Sequence, residues 1–232
     1  MHQIVILTGA GLSAESGLST FRDEGGLWAQ HRVEDVATPE AFARNPDLVH
    51  AFYNARRAQA ATVAPNAAHI ALARLQRAAS ASVTLITQNV DGLLEQAGAE
   101  PIHMHGALNG ALCAACGHRW PAPAVMATTD QCPACQATAT RPDIVWFGEM
   151  PYHLERIETA LVNATEFVAI GTSGNVYPAA GFVHAAQAAG ADAIEINLER
   201  TDLTRSFNQH IGGPATQTVP AWVDDTIKRL SQ

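Results

Sequence analysis

A Rossmann-like α/β fold, built on a doubly wound parallel sheet with a smaller lobe, is what this sequence predicts, on three observations. Short apolar runs alternate with alanine-rich amphipathic stretches along the chain. The runs are continuously apolar, as parallel strands covered on both faces require. Nearly every run ends in a glycine-rich or polar cluster, and open parallel sheets bind ligands outside the carboxyl ends of their strands. One cleft is therefore expected along one edge of the sheet.

The strands are read at 4–7, 83–86, 101–104, 167–170 and 193–196, with a sixth at 217–219. The helical stretches between them fall at 66–79, 90–97, 153–164, 179–189 and 221–230. Two segments break the alternation. Residues 25–65 read as a helical insertion in which Pro39 and Pro46 mark helix starts. Residues 107–145 carry all four cysteines and are rich in small residues and proline. Both are assigned to the small lobe, which leaves 1–24, 66–106 and 146–232 to the Rossmann-like part.

Composition narrows the function classes. Of 232 residues, 47% are hydrophobic and 16% charged, enough for a core and too few charges for a disordered chain. The 14 lysines and arginines against 22 acids leave a net charge of −8, which argues against a broad basic face for nucleic acid. The apolar runs are too short for a membrane span, and the N-terminus lacks the basic region of a signal peptide. A cytoplasmic, monomeric protein without membrane or nucleic-acid partners is expected.

The cysteines fall as Cys113, Cys116, Cys132 and Cys135, the C-x2-C-x15-C-x2-C spacing of a structural zinc site. Gly117 and Pro133 supply turns for two knuckles. Two disulfides or four free thiols are the alternatives, disfavoured in a reducing compartment. Four protein ligands leave such a zinc no open position for catalysis.

Gly9-Ala10-Gly11-Leu12-Ser13-Ala14 follows the first strand and fits a dinucleotide-binding turn. The acidic residue usual about 20 positions on in such motifs is missing, so an ordinary dehydrogenase fits poorly. A second glycine loop, Gly171-Thr172-Ser173-Gly174, and a polar strand end at Asn197 and Glu199 complete a variant site. Gln88, Asn89 and Asp91 follow another strand, where helix capping is the competing reading. His105 precedes Gly106 at a third strand end, and alternation along a strand would turn His103 to the opposite face.

Taken together, these motifs resemble the sirtuins. Residues 9–23, opening Gly9-Ala10-Gly11 and closing Thr20-Phe21-Arg22-Asp23, are similar to that family's signature. Gly26-Leu27-Trp28, Thr87-Gln88-Asn89-Val90-Asp91-Gly92, His105-Gly106, the two cysteine pairs, Val145-Trp146-Phe147-Gly148-Glu149, Gly171-Thr172-Ser173 and Asn197-Leu198-Glu199 follow in the family's order. The resemblance covers essentially the whole chain. It implies an NAD-dependent protein-lysine deacylase with NAD as cosubstrate, a structural Zn2+, and acylated lysines on proteins as partners.

The resemblance also implies roles. His105 would be the general base on a ribose hydroxyl of NAD. Gly9, Ala10, Gly11, Ser13, Glu15, Gln88, Asn89, Asp91, Gly171, Thr172, Ser173, Asn197 and Glu199 would bind the cosubstrate. Phe21 and Arg22 would belong, with Ala10, to a loop that closes on it. Val145, Trp146, Phe147, Gly148 and Glu149 would pair with the substrate backbone as an added strand. Leu94 and Asp143 depart from relatives, which carry histidine at these places; the second touches peptide preference.

Tyr53 and Arg56 stand one helical turn apart in a stretch read as a helix over 48–60. The pair resembles the Tyr-x-x-Arg signature of the bacterial class III members, which remove succinyl and malonyl groups. An arginine fork matches a carboxylate, and a phenol adds a third donor. Ala37 resembles the small residue that leaves room for the longer acyl chain. The bland reading puts Arg56 on a solvated face, where Arg57 is expected. A general deacetylase, a mono-ADP-ribosyl transferase and a non-catalytic NAD sensor stay open as alternatives.

Overall fold

The computed structural model describes residues 2–18, 31–78 and 81–231. Phe21 and Arg22 of the expected closing loop, and the Gly26-Leu27-Trp28 motif, lie outside them.

The first strand, β1 (Gln3–Thr8), is buried from Ile4 to Thr8. On one side it pairs in parallel with β2 (Ser82–Thr87), which in turn pairs with β3 (Ile102–His103). On the other side it pairs with β7 (Glu166–Ile170), followed by β8 (Asp192–Asn197) and β9 (Gln209–Gly212). The order β3-β2-β1-β7-β8-β9 reverses direction at β1, so the cleft opens where β1 and β7 end side by side.

Alternate side chains of β1 feed two cores. Ile4 and Ile6 pack with Leu72 and Leu75 of α5 (Ala67–Arg77) and with Trp222 of α9 (Ala215–Leu230). Val5 and Leu7 pack with Ile157 and Leu161 of α7 (Leu154–Val162) and with Phe182 of α8 (Phe182–Ala188). Burial on both faces is why these strands read as unbroken apolar runs. Leu94, one of the two departures, sits in the first of these cores at the short helix α6 (Leu93–Gln96).

A three-stranded antiparallel sheet, β5 (Arg119–Pro121), β4 (Gly106–Cys113) and β6 (Thr140–Ile144), stands beside the main one. It shares a third core with α2 (Val33–Val36), α3 (Pro39–Arg44) and α4 (Pro46–Ala60) through Val36, Ala41, Val49, Phe52, Leu108, Ile144 and Trp146. Both prolines occupy the first helical position, where a missing N–H costs nothing. Thr38 caps α3 by accepting from Ala41 N, and Asn45 caps α4 by accepting from Leu48 N.

Three readings are corrected. The sixth strand is β9, at Gln209–Gly212, and 217–219 lies inside α9. Val219 is a buried helix residue in the first core, so its apolar character served a helix face rather than a strand. Arg57 does not lie on a solvated face. Its guanidinium donates to Leu108 O at 2.8 Å and to Asn54 Oδ1 at 2.8 Å, tying α4 to the antiparallel sheet. The third strand stops at His103, so strand alternation does not govern His105. Both rings bond to one loop, His103 at Asn89 O and His105 at Gln88 O.

Candidate active site

The two glycine loops meet backbone to backbone where β1 and β7 end. Gly9 N donates to Ile170 O and Gly11 N to Gly171 O. A Cβ at Gly9 would lie 2.8 Å from Gly171 O, and one at Gly11 2.8 Å from Gly171 Cα. Gly171 adopts φ +61°, and its Cβ would lie 2.5 Å from Leu12 N. Side chains are excluded from this seam, leaving a bare main-chain cradle of the kind that suits a phosphate. Ala10 sits between the two glycines, just before the first turn, α1 (Gly11–Ala14).

Ser13 is the hub behind that cradle. It accepts from Asn89 Nδ2 at 3.1 Å and donates to Asp91 Oδ2 at 3.0 Å. His69 Nε2 lies 3.3 Å from the same hydroxyl. The tautomer of His69 follows from its other nitrogen, because Nδ1 accepts from Asn66 N and the proton must then sit on Nε2. Burial holds the His69 pKa down to about 4, so the ring is neutral. Asn89 also donates to Gly9 O, and Asp91 Oδ1 accepts from Leu93 N. Asp91 thus holds the first N–H of α6 from the position before its N-cap while it also bonds Ser13. Its burial pushes the carboxyl pKa up, against the Leu93 N–H and the Ser13 hydroxyl.

His69 was not singled out in the sequence. Its signal is Asn66-x-x-His69 at the start of α5, a capping box with histidine in the place of the usual glutamate or glutamine.

His105 stands between β3 and β4. A carbonyl can only accept, so the 3.2 Å contact with Gln88 O puts the proton on Nδ1 and leaves a lone pair on Nε2. Burial lowers its pKa, partly offset by that hydrogen bond. Gln88 reaches across to the second glycine loop, donating to Thr172 Oγ1 at 3.0 Å. Asn197 donates to Thr172 O at 2.8 Å, and Ser173 Oγ accepts from Asn175 N. The structure does not bring every candidate together. Glu15 turns away to accept from Thr216 N and Thr216 Oγ1 at the start of α9, and Glu199 is exposed.

Tyr53 and Arg56 face inward from α4. Tyr53 is buried at 1% exposure, and the Arg56 guanidinium carbon lies 5.8 Å from its ring centroid. Burial lowers the Arg56 pKa, against the fields of Tyr53 and Asp91. Ala37 is buried, and its carbonyl accepts from Phe147 N. Val145 N donates to His105 O, while Gly148 adopts φ +92° and closes the turn before Glu149. Trp146 is buried and Phe147 is half exposed. Asp143 is held by Arg119 and by the Tyr152 hydroxyl.

The four cysteine sulfurs lie within 4.8 Å of one another, with Cys113 to Cys135 at 3.7 Å and Cys116 to Cys132 at 3.8 Å. Zn–S bonds of ~2.3 Å at tetrahedral angles place sulfurs roughly 3.8 Å apart, so the cage fits zinc. Each knuckle ends in a left-handed residue, Gly117 at φ +75° and Gln136 at φ +63°. Pro133 lies inside the second turn rather than closing it.

A model of the Sir2 family matches residues 9–178, which span the cradle, His105, the cysteine cage and the second glycine loop. The chain belongs to the Sir2 family.

Relatives and solved structures agree on how far the likeness extends. The chain is 53% identical over 229 residues to an NAD-dependent protein deacylase of Bdellovibrio bacteriovorus, covering 97% of each. It is 51% identical over 232 residues to the NAD-dependent protein deacylase of Escherichia coli, covering 98% of this chain and 83% of that one. An ADP-ribose complex of a Sir2 homologue superposes with a TM-score of 0.90 at 37% identity, over 98% of this chain and 93% of the other. A Sir2 homologue bound to NAD gives 0.89 at the same identity, over 98% and 90%. Among the described residues of this Sir2 protein, no helix is long and apolar enough to cross a membrane.

Proposed function

We propose that this Sir2-family chain is an NAD-dependent protein-lysine deacylase that prefers acidic acyl groups, succinyl and malonyl, and also removes acetyl. Deacylation is supported by family membership and by the named relatives. The observation that carries the acyl preference is the buried Tyr53 with the Arg56 guanidinium carbon 5.8 Å from its ring centroid, the two residues one helical turn apart on α4.

NAD fits the cleft because the seam of Gly9, Gly11 and Gly171 excludes any Cβ from the place a pyrophosphate would take. NAD would supply the ribose carbon that the acyl oxygen attacks as nicotinamide leaves, and a ribose hydroxyl that then takes the acyl carbon. Asn89 and Asp91, fixed through Ser13, line the nicotinamide end, and Thr172, Ser173 and Asn197 the adenosine end. His105 Nε2 takes the proton of a ribose hydroxyl. Its lowered pKa keeps the ring neutral at physiological pH, the form a base needs. The acyl group leaves on ADP-ribose, and lysine is released. The segment from Val145 to Glu149 receives the peptide backbone, and the cysteine cage holds zinc in a structural role. We take the enzyme to act as a cytoplasmic monomer on acylated proteins.

A carboxylate tail can take a forked, charge-assisted hydrogen bond from Arg56 that a neutral tail cannot, so a neutral tail is a mismatch for this site. Such a mismatch costs roughly 2–5 kcal/mol, about 30-fold or more in selectivity. The test is kcat/KM on one peptide carrying succinyl-lysine or acetyl-lysine, with and without NAD. NAD-dependent turnover favouring succinyl by about tenfold or more supports the preference. Equal rates leave a general deacetylase. Label passing from NAD to protein instead of to O-acyl-ADP-ribose would point to ADP-ribosyl transfer.

A further inference from the structure

The Tyr53 hydroxyl is not left to choose its own orientation. Trp146 Nε1 lies 3.1 Å from it, in a buried contact. An indole N–H can only donate, so the phenol oxygen is the acceptor. Among the described residues Tyr53 makes no other hydrogen bond, so its own proton has no acceptor there. Accepting one hydrogen bond also makes the phenol a stronger donor of the next.

The indole is packed by two groups, and a third fixes its main chain. The Arg141 guanidinium carbon stacks 3.5 Å from its ring centroid. Glu149 Oε2 accepts from Trp146 N at 2.8 Å, and the Glu149 carboxylate takes both Arg141 terminal nitrogens, at 2.6 and 2.9 Å. The Phe42 ring lies 5.3 Å away. This clamp leaves the indole no second direction in which to aim its N–H.

We propose that Trp146 is a specificity-determining positioning residue. Its N–H obliges Tyr53 to present a proton, rather than a lone pair, to the acyl tail, so selection of a carboxylate needs Trp146 as well as Tyr53 and Arg56. The proposal rests on the acidic-acyl reading above. A lone pair facing the pocket would repel a carboxylate and suit a neutral tail better, and the indole removes that option.

The experiment reads the succinyl-to-acetyl ratio of kcat/KM in Trp146→Phe, Tyr53→Phe, Arg56→Met and the double variant Tyr53→Phe/Trp146→Phe. Trp146→Phe should lower the ratio about five- to tenfold, mainly through KM for the succinyl peptide, the scale of one charge-assisted hydrogen bond. The double variant should match Tyr53→Phe, because the indole acts through the phenol. If Tyr53→Phe and Arg56→Met leave the ratio unchanged, the acidic-acyl reading fails. If they lower it and Trp146→Phe does not, or if the Trp146 effect persists in full on the Tyr53→Phe background, the proposal is overturned while that reading stands. Should Trp146→Phe fold poorly, benzothienylalanine at position 146 keeps the ring shape and removes only the N–H. The same fall in ratio is expected, and an unchanged ratio overturns the proposal.

Discussion

The hydroxyl of Ser13 donates to Asp91 Oδ2 across 3.0 Å, joining the turn after β1 to the loop after β2. The same oxygen accepts from Asn89, and His69 Nε2 lies against it, so four residues from three separate segments depend on one atom. Replacing Ser13 by alanine strands at least one buried partner. The expected cost is about 2 kcal/mol, lowering Tm by roughly 4–8 °C. KM for NAD should rise more than KM for the acyl peptide. An unchanged Tm and an unchanged KM for NAD would show that the hub is dispensable.

His105→Asn should cut kcat by roughly 10²–10⁴ while NAD binding, read by calorimetry, persists. The base is active when neutral, and burial lowers its pKa below the ordinary 6.5. The rate should therefore rise with pH and reach its plateau early, with the half-point of the acid limb of kcat/KM below 6.5. A half-point well above 6.5 would remove His105 from that limb.

His69 makes stability depend on pH. Its folded pKa of about 4 is below its ordinary value of 6.5, so the unfolded chain binds more protons between the two. The contribution is complete above pH 6.5 and is lost as the pH falls through 4. His69→Gln keeps a capping-box residue at this position and removes the titration. Between pH 7 and 5 the native chain should lose about 2 kcal/mol more than the variant in urea unfolding. Parallel losses would show that His69 does not carry this dependence.

The cysteine cage predicts one zinc per chain by elemental analysis, and Cys113→Ser should lose the metal and much of the stability together. The second knuckle closes on Gln136 at φ +63°, where the first uses Gly117. Gln136→Gly should add roughly 0.5–1 kcal/mol by relieving the left-handed strain, less the entropy glycine adds to the unfolded chain. A drop in Tm would mean that the Gln136 side chain contributes more than its backbone costs.

The sequence exposed what depends on local pattern. The strands of the main sheet read correctly wherever both faces are buried, because continuous apolar runs follow from that burial. The strand β9 was missed because Gln209 and His210 break its pattern, and only its pairing with β8 makes it a strand. The helix starts at Pro39 and Pro46 were legible because proline prefers the first helical position. Arg57 was misread because its partners, Leu108 and Asn54, include one 51 positions away in the antiparallel sheet.

By itself the sequence determined the layered α/β architecture, the glycine cradle and the cysteine spacing. Each of these depends on residue type and near-neighbour spacing. Only the tertiary structure decided that Ser13 joins His69, Asn89 and Asp91, that Glu15 caps α9, and that Trp146 aims its N–H at Tyr53. Those contacts join residues 56 to 201 positions apart. A hydrogen bond is decided by distance and direction in space, which folding sets and which no local pattern along the chain encodes.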